Sequence, residues 1–197
     1  TIELLLRSLD AAPKGIFKIK EILVVDGGSR DRTLKIITEF LSSKGYNYRI
    51  YTNIRRRGNA REFGQKHSVH DYICMFDADL FLDKNWFLAM SKAFEKYPDF
   101  DVLYGRVRMP QDMMGVVPKL AGIVYDYHYD KQLGEKSVGR PACDTSNTIF
   151  TRKILKMVDG FDSKLPFGED ADISFRILNN GGKMIVLHDA IAYHYHR

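Results

Sequence analysis

Asp77 and Asp79, separated by one alanine, end the stretch DYICMFDADL and are the side chains of this sequence best placed to hold a cation. Carboxylate oxygens are hard ligands, and a pair of them with no basic neighbour in sequence suits Mg²⁺ or Mn²⁺. Spacing alone does not select them, because DxD triplets also occur at 99–101 and 170–172. Only the first ends an apolar run, Tyr72 to Phe76, which reads as a strand covered on both faces of a parallel sheet. Ligands of such sheets sit outside the carboxyl ends of the strands, where both acids would fall. Asp26 holds an equivalent position at the end of EILVVD. There a carboxylate can accept a hydrogen bond from a base N–H or a ribose hydroxyl, or it can fold back on the turn at Gly27-Gly28. Glu169 and Asp170 fall at the start of a helix, a place where the macrodipole favours acids. His194 and His196 share one face of the last strand by its period of two, as metal ligands or as ordinary strand histidines.

The elements that must position these residues follow from apolar spacing. Ile2, Leu5, Leu6 and Leu9 predict an opening amphipathic helix, and EILVV a strand stopped by glycines. Ser29 or Asp31 can cap a following helix whose apolar face is Leu34, Ile37, Phe40 and Leu41, with Gly45 as its terminator. A strand is expected over Tyr48–Thr52, a helix over Asn59–His67 and another over Asn85–Tyr97. Strands are expected over Val102–Val107 and Thr148–Phe150, with a short helix over Arg152–Val158. A helix from about Glu169 then presents Ile173, Ile177 and Leu178, and two short strands, Met184–Leu187 and Ala190–Tyr195, close the chain. Residues 108–147, punctuated by glycine and proline, read as a substrate-facing excursion of loop and short helix. Alternation of strand and helix without a long linker predicts one α/β domain over residues 1–197 around a mainly parallel sheet.

Composition narrows the partners. With 30 Lys and Arg against 25 Asp and Glu, the net charge of +5 does not by itself argue for nucleic acid. The densest basic cluster, Arg55, Arg56, Arg57 and Arg61, is compact where a nucleic-acid groove calls for a continuous stripe. No apolar run approaches the roughly 20 residues that cross a bilayer, and no signal-peptide succession opens the sequence, so membrane contact is expected to be peripheral at most. Cys74 and Cys143 make no zinc spacing and no disulfide framework, which suits a cytoplasmic setting. Trp86, Tyr125, Tyr127 and Tyr129 are either sugar-stacking aromatics or core.

Three segments in fixed order, EILVVDGGSRDRT, the DAD after an apolar strand, and VDGFDSKLPFGEDADISFRI, resemble the inverting family-2 glycosyltransferases of GT-A fold. The resemblance spans roughly residues 2 to 197. It implies an α/β/α sandwich with a Rossmann-like sheet, a divalent cation, Mn²⁺ or Mg²⁺, and a UDP- or GDP-sugar donor. The implied acceptor is a glycan, a lipid-linked molecule or a protein. By the same resemblance Asp79 is the primary metal ligand, Asp77 meets ribose or metal-bound water, and His194 completes the metal site. Asp26, Arg61 and Glu169 lie against the nucleotide or substrate, and Asp170 is the general base. The sequence departs from the family pattern in two places. Gly27 stands where many relatives carry a second Asp, and the sequence starts after the point where the family's opening apolar strand would end, so either a first strand is lacking through truncation or the nucleotide pocket is incomplete. A non-catalytic nucleotide-binding protein of the same fold and a metal-dependent nucleotidyl transferase are the competing readings.

Overall fold

The computed structural model describes residues 1–110, 120, 143–165 and 167–194. Its helices are α1 (Ile2–Ala11), α2 (Thr33–Ser43), α3 (Arg57–His67), α4 (Trp86–Lys96), α5 (Arg152–Met157) and α6 (Glu169–Asn179). Its strands are β1 (Ile22–Val25), β2 (Tyr48–Tyr51), β3 (Tyr72–Phe76), β4 (Leu80–Leu82), β5 (Val102–Arg108), β6 (Asn147–Thr151) and β7 (Met184–His194). The α/β class read from the sequence is observed. β1 and β2 form a parallel pair, and the other strands form a five-stranded sheet in the order β3-β6-β5-β7-β4. Within that sheet only β5 and β7 run parallel, and β3, β4 and β5 each meet their other neighbours antiparallel, so the sheet is mixed.

Successive residues of the central strands go to opposite faces, as the pleat requires. Val102 and Tyr104 of β5 and Phe150 of β6 pack with Ile154, Leu155, Ile173 and Ile177 of α5 and α6. Leu103 and Ile149 point the other way, into Trp86, Phe87 and Met90 of α4 and Leu5 of α1. These are the two helical layers of a sandwich. α2 covers the β1–β2 pair separately, through Ile37 and Leu41 against Ile22, Val24 and Ile50.

The strand before the acids departs from expectation. β3 alternates between exposed Tyr72 and Cys74 and buried Ile73 and Met75, and it pairs antiparallel with β6 at the sheet edge. An apolar run reports burial but not strand direction, and β3 owes its apolar character to a different neighbour. Between β1 and β3 lies a slot of about 840 Å³ lined by Ile22, Val24, Ile73, Met75, Phe76 and Phe87 among others. Among the described strands β1 pairs only with β2 and β3 only with β6, so each turns an unpaired edge toward this space.

The two closing strands are one. β7 runs unbroken past a register shift between Gly105 and Arg106, where Leu187 opposes Gly105 and Ile191 opposes Arg106, so residues 188–190 bulge out. A bulge bends a strand and re-aims the residues beyond it. Gly105 permits it, since a Cβ there would lie 1.9 Å from the Ala190 carbonyl oxygen. Asn147, fully buried, pins the bulge: its Nδ2 donates to the carbonyls of Arg106 and Ala190 at 3.0 Å each, and its Oδ1 accepts from Trp86 Nε1 at 2.7 Å. Trp86 is therefore committed to the core and is not a sugar platform. Asn147→Ala removes three hydrogen bonds from the buried core, and we expect a loss of about 4 kcal/mol, or ~10 °C in Tm, by thermal unfolding. A shift below about 2 °C would show that the bulge does not depend on this amide.

Candidate active site

The turn after β3 and the end of β7 meet through a strand that the apolar pattern of the sequence does not reveal. β4 is three residues long and pairs antiparallel with β7, with Leu80 opposite His194. That register sets Asp79, one residue before β4, beside His194: the Asp79 Oδ1 to His194 Nε2 distance is 3.2 Å. α1 secures the strand, because Ser8 Oγ accepts the Leu82 backbone N–H at 2.9 Å. Asp77, Asp79 and His194 each offer a ligand atom, and those atoms lie within 4.8 Å of one another. Two carboxylates and an imidazole form a donor set that fits Mn²⁺ and accommodates Mg²⁺. His188 sits exposed on the bulge, and His196 falls outside the described residues.

The competing triplets are engaged elsewhere. Asp99 pairs with Lys183, and Asp101 Oδ2 accepts the Lys183 backbone N–H at 2.9 Å, so 99–101 ties the α6–β7 turn to the start of β5. Asp172 pairs along α6 with Arg176, whose guanidinium also donates to the carbonyls of Val158 and Gly160.

Asp26 closes its own turn. It accepts from the Ser29 hydroxyl at 2.5 Å and from the backbone N–H groups of Gly28 and Ser29 at 2.8 and 2.9 Å. Burial alone would raise this carboxyl, but the Ser29 hydroxyl and the two N–H donors outweigh it and hold it below the ordinary range. A base N–H arriving here would meet an acceptor already shaped by its loop. Asp31, not Ser29, serves the next helix, accepting the Thr33 N–H at 3.0 Å.

Glu169 and Asp170 open α6 after Gly168, with three acids in the first turn. Their environments differ. Glu169 is buried at 4% exposure, whereas Asp170 is half-buried and takes the Ala171 N–H on Oδ1 at 2.8 Å. Arg61, on α3, reaches both halves of the site: its Nη2 lies 2.7 Å from Asp77 Oδ1, and its Nε lies 3.7 Å from Glu169 Oε1. Expected against the nucleotide, it is engaged here with two acids. Arg55, Arg56 and Arg57 are exposed ahead of it. Below α6, the Cys143 backbone N–H donates to Ser174 Oγ at 2.9 Å. Burial pushes the Cys143 thiol up to about 12, with the Ser174 hydroxyl opposing and the Asp144 and Asp170 carboxylates adding to the rise, so this cysteine is no nucleophile. The excursion expected at 108–147, with Tyr125, Tyr127 and Tyr129, falls largely outside the described residues.

No described helix is long and apolar enough to cross a membrane. Residues 1–158 match the family described as Glycosyl transferase family 2. Among curated proteins, a poly-beta-1,6-N-acetyl-D-glucosamine synthase of Staphylococcus epidermidis is 25% identical over 166 residues, which are 80% of this chain and 38% of that protein. The chain thus spans well under half the length of this relative. Among solved structures, the mannosyltransferase PcManGT of Pyrobaculum calidifontis, in complex with GDP-Man and Mn²⁺, superposes with a TM-score of 0.72 at 17% identity, over 98% of this chain and 53% of that one. Residues 1–349 of S. aureus TarS, in complex with UDP-GlcNAc, give 0.69 at 20% identity, over 100% of this chain and 55% of that one.

Proposed function

Because the chain belongs to glycosyl transferase family 2, we propose that it transfers a sugar from a nucleoside-diphosphate sugar to an acceptor hydroxyl, with a divalent cation and inversion at the anomeric carbon. The observation that carries this reading is the meeting of Asp77, Asp79 and His194 at one end of the sheet, with α6 joined to the same place through Arg61. Asp79, His194 and Asp77 would hold the cation, and a bound Mn²⁺ or Mg²⁺ supplies neutralisation of the charge that develops on the departing diphosphate. The protein's own part is positional and acid–base. Asp26 and its turn present an acceptor to the nucleoside, and Glu169 belongs to the substrate side of the pocket. Asp170 takes the acceptor hydroxyl proton as that oxygen bonds to the anomeric carbon. The bond from carbon to diphosphate oxygen breaks with its electrons on the diphosphate, in one displacement that inverts the centre.

UDP-GlcNAc and GDP-Man are the donors to test first, since similar proteins carry them. A cytoplasmic setting, with membrane contact at most peripheral, suits a domain whose two cysteines are unpaired. We also infer that the slot between β1 and β3 has room for a further extended segment paired to both edges. Its two unpaired edges and its volume of about 840 Å³ support that placement.

A thermal-shift series on the full-length protein with UDP-, GDP- and dTDP-sugars, each with and without Mn²⁺, tests the reading. At a hundredfold excess over Kd the true donor should raise Tm by about 5–10 °C, and only when the cation is present. No shift with any nucleotide sugar, together with steeply salt-dependent binding of RNA or DNA, would favour the nucleotidyl-transfer reading instead.

A further inference from the structure

Arg61 stands between the two halves of the site, and its surroundings assign it a task distinct from gripping a donor. Its side chain is 11% exposed, that of Glu169 is 5% exposed, and that of Asp77 is 29% exposed. One end of the guanidinium is a hydrogen bond, Nη2 to Asp77 at 2.7 Å. The other is looser: Nε, fully buried, makes no hydrogen bond among the described residues and faces Glu169 Oε1 at 3.7 Å. Among the described residues Arg61 is the only cation paired with Glu169, a buried carboxylate at the first position of α6. A buried acid without its cation is costly, so the first turn of α6 cannot settle independently of where Arg61 sits.

The helix that carries Arg61 is itself keyed to the segment leading into α6. Gly58 of α3 lies so close to that turn that a Cβ there would come within 2.5 Å of the Asp162 carbonyl oxygen. Glu62 is hydrogen-bonded to Ser163, and Gln65 closes over Gly160. Three successive turns of α3 thus touch residues 160–163, seven to ten positions before Asp170. A planar guanidinium with fixed donors can hold two acids at a set separation, which a point charge cannot.

We propose that Arg61 is a positioning residue that couples the strand-end acids to the helix bearing the base, fixing Asp170 relative to Asp77 through Glu169. The proposal rests on the reading of Asp170 as general base, but it carries a consequence that needs no activity at all. If Arg61 acts by compensating Glu169, Arg61→Met strands a buried charge, and Glu169→Gln in the same chain removes that charge again.

The test is a double-mutant cycle on the full-length protein. Without any nucleotide, Arg61→Met should lower Tm by about 8 °C, and adding Glu169→Gln should regain at least half of the loss. Additive losses in the pair overturn the coupling whether or not the protein is a transferase. With donor and acceptor supplied, Arg61→Met should lower kcat by about 100-fold with the donor KM changed less than threefold, because a misplaced base harms the step and not donor binding. Arg61→Lys, which can satisfy only one acid at a time, should recover part of kcat. A raised donor KM with kcat kept in Arg61→Met would instead make Arg61 a donor ligand and overturn the proposal. Coupled stabilities in a wild-type protein that transfers no sugar would count against the glycosyltransferase reading alone.

Discussion

Replacing Asp170 with asparagine should lower kcat by about 10²–10⁴-fold while the donor-dependent thermal shift survives. The substitution keeps size and shape, and the asparagine carbonyl can still take the Ala171 N–H that Oδ1 accepts at 2.8 Å, so the start of α6 is preserved. What it removes is the capacity to receive a proton. An acceptor hydroxyl is a poor nucleophile until its proton begins to leave, and an amide cannot accept that proton near neutral pH. The alternative role of Asp170, one of three acids complementing the α6 dipole, predicts a different outcome. Loss of one such charge costs about 0.3–1 kcal/mol of stability and leaves turnover intact. Rates in single turnover with saturating donor, set beside Tm for both proteins, separate the two. Unchanged turnover in Asp170→Asn would remove it as the base.

Residues that act through their own neighbours in sequence are legible there; those that act through distant partners are not. Asp26, Asp77 and Asp79 sit at strand ends because apolar runs stop there, a local signal. The opening of α6 at Glu169 is just as local, carried by an acid-rich first turn. β4 escapes because Leu80–Leu82 is too short to show a period, and it is a strand only because β7 offers it an edge. β7 reads as two strands because His188 and Asp189 interrupt the pattern, and only the buried Asn147 amide and Gly105 explain how the chain bulges and continues. The direction of β3 is hidden for a related reason, since hydrophobicity records what covers a strand and not which way its partner runs. Arg61 stands out in sequence as a basic residue near the site, but its pairing with Asp77 and Glu169 belongs to the packing of α3 and has no sequence signature.

The metal half of the site gives the second large effect. Asp79→Asn should abolish the Mn²⁺-dependent part of the donor thermal shift and reduce kcat/KM by about 10³-fold, a loss of about 4 kcal/mol of transition-state stabilisation. The reasoning runs from register to charge. Pairing of Leu80 with His194 sets the Asp79 carboxylate 3.2 Å from the imidazole Nε2, and Asp77 Oδ1 is already committed to Arg61 at 2.7 Å. Among the described residues Asp79 is therefore the carboxylate of the pair with no competing arginine, and it is the more exposed, at 44% against 29%. If Asp79 is the principal anionic ligand, as proposed, its loss would leave a nucleoside diphosphate to approach Asp77 and Glu169 with its own charge uncompensated. His194→Ala should be milder, raising the Mn²⁺ concentration needed for half-maximal activity about 10–100-fold while kcat at saturating metal changes little, since two carboxylates remain. Chelation with EDTA should reproduce the Asp79→Asn phenotype in the wild type and add nothing to the variant. The opposing possibility is that Asp79 and His194 merely pin β4 to β7. In that case Asp79→Asn lowers Tm without donor, leaves the Mn²⁺ dependence of what activity persists unchanged, and EDTA affects both proteins equally.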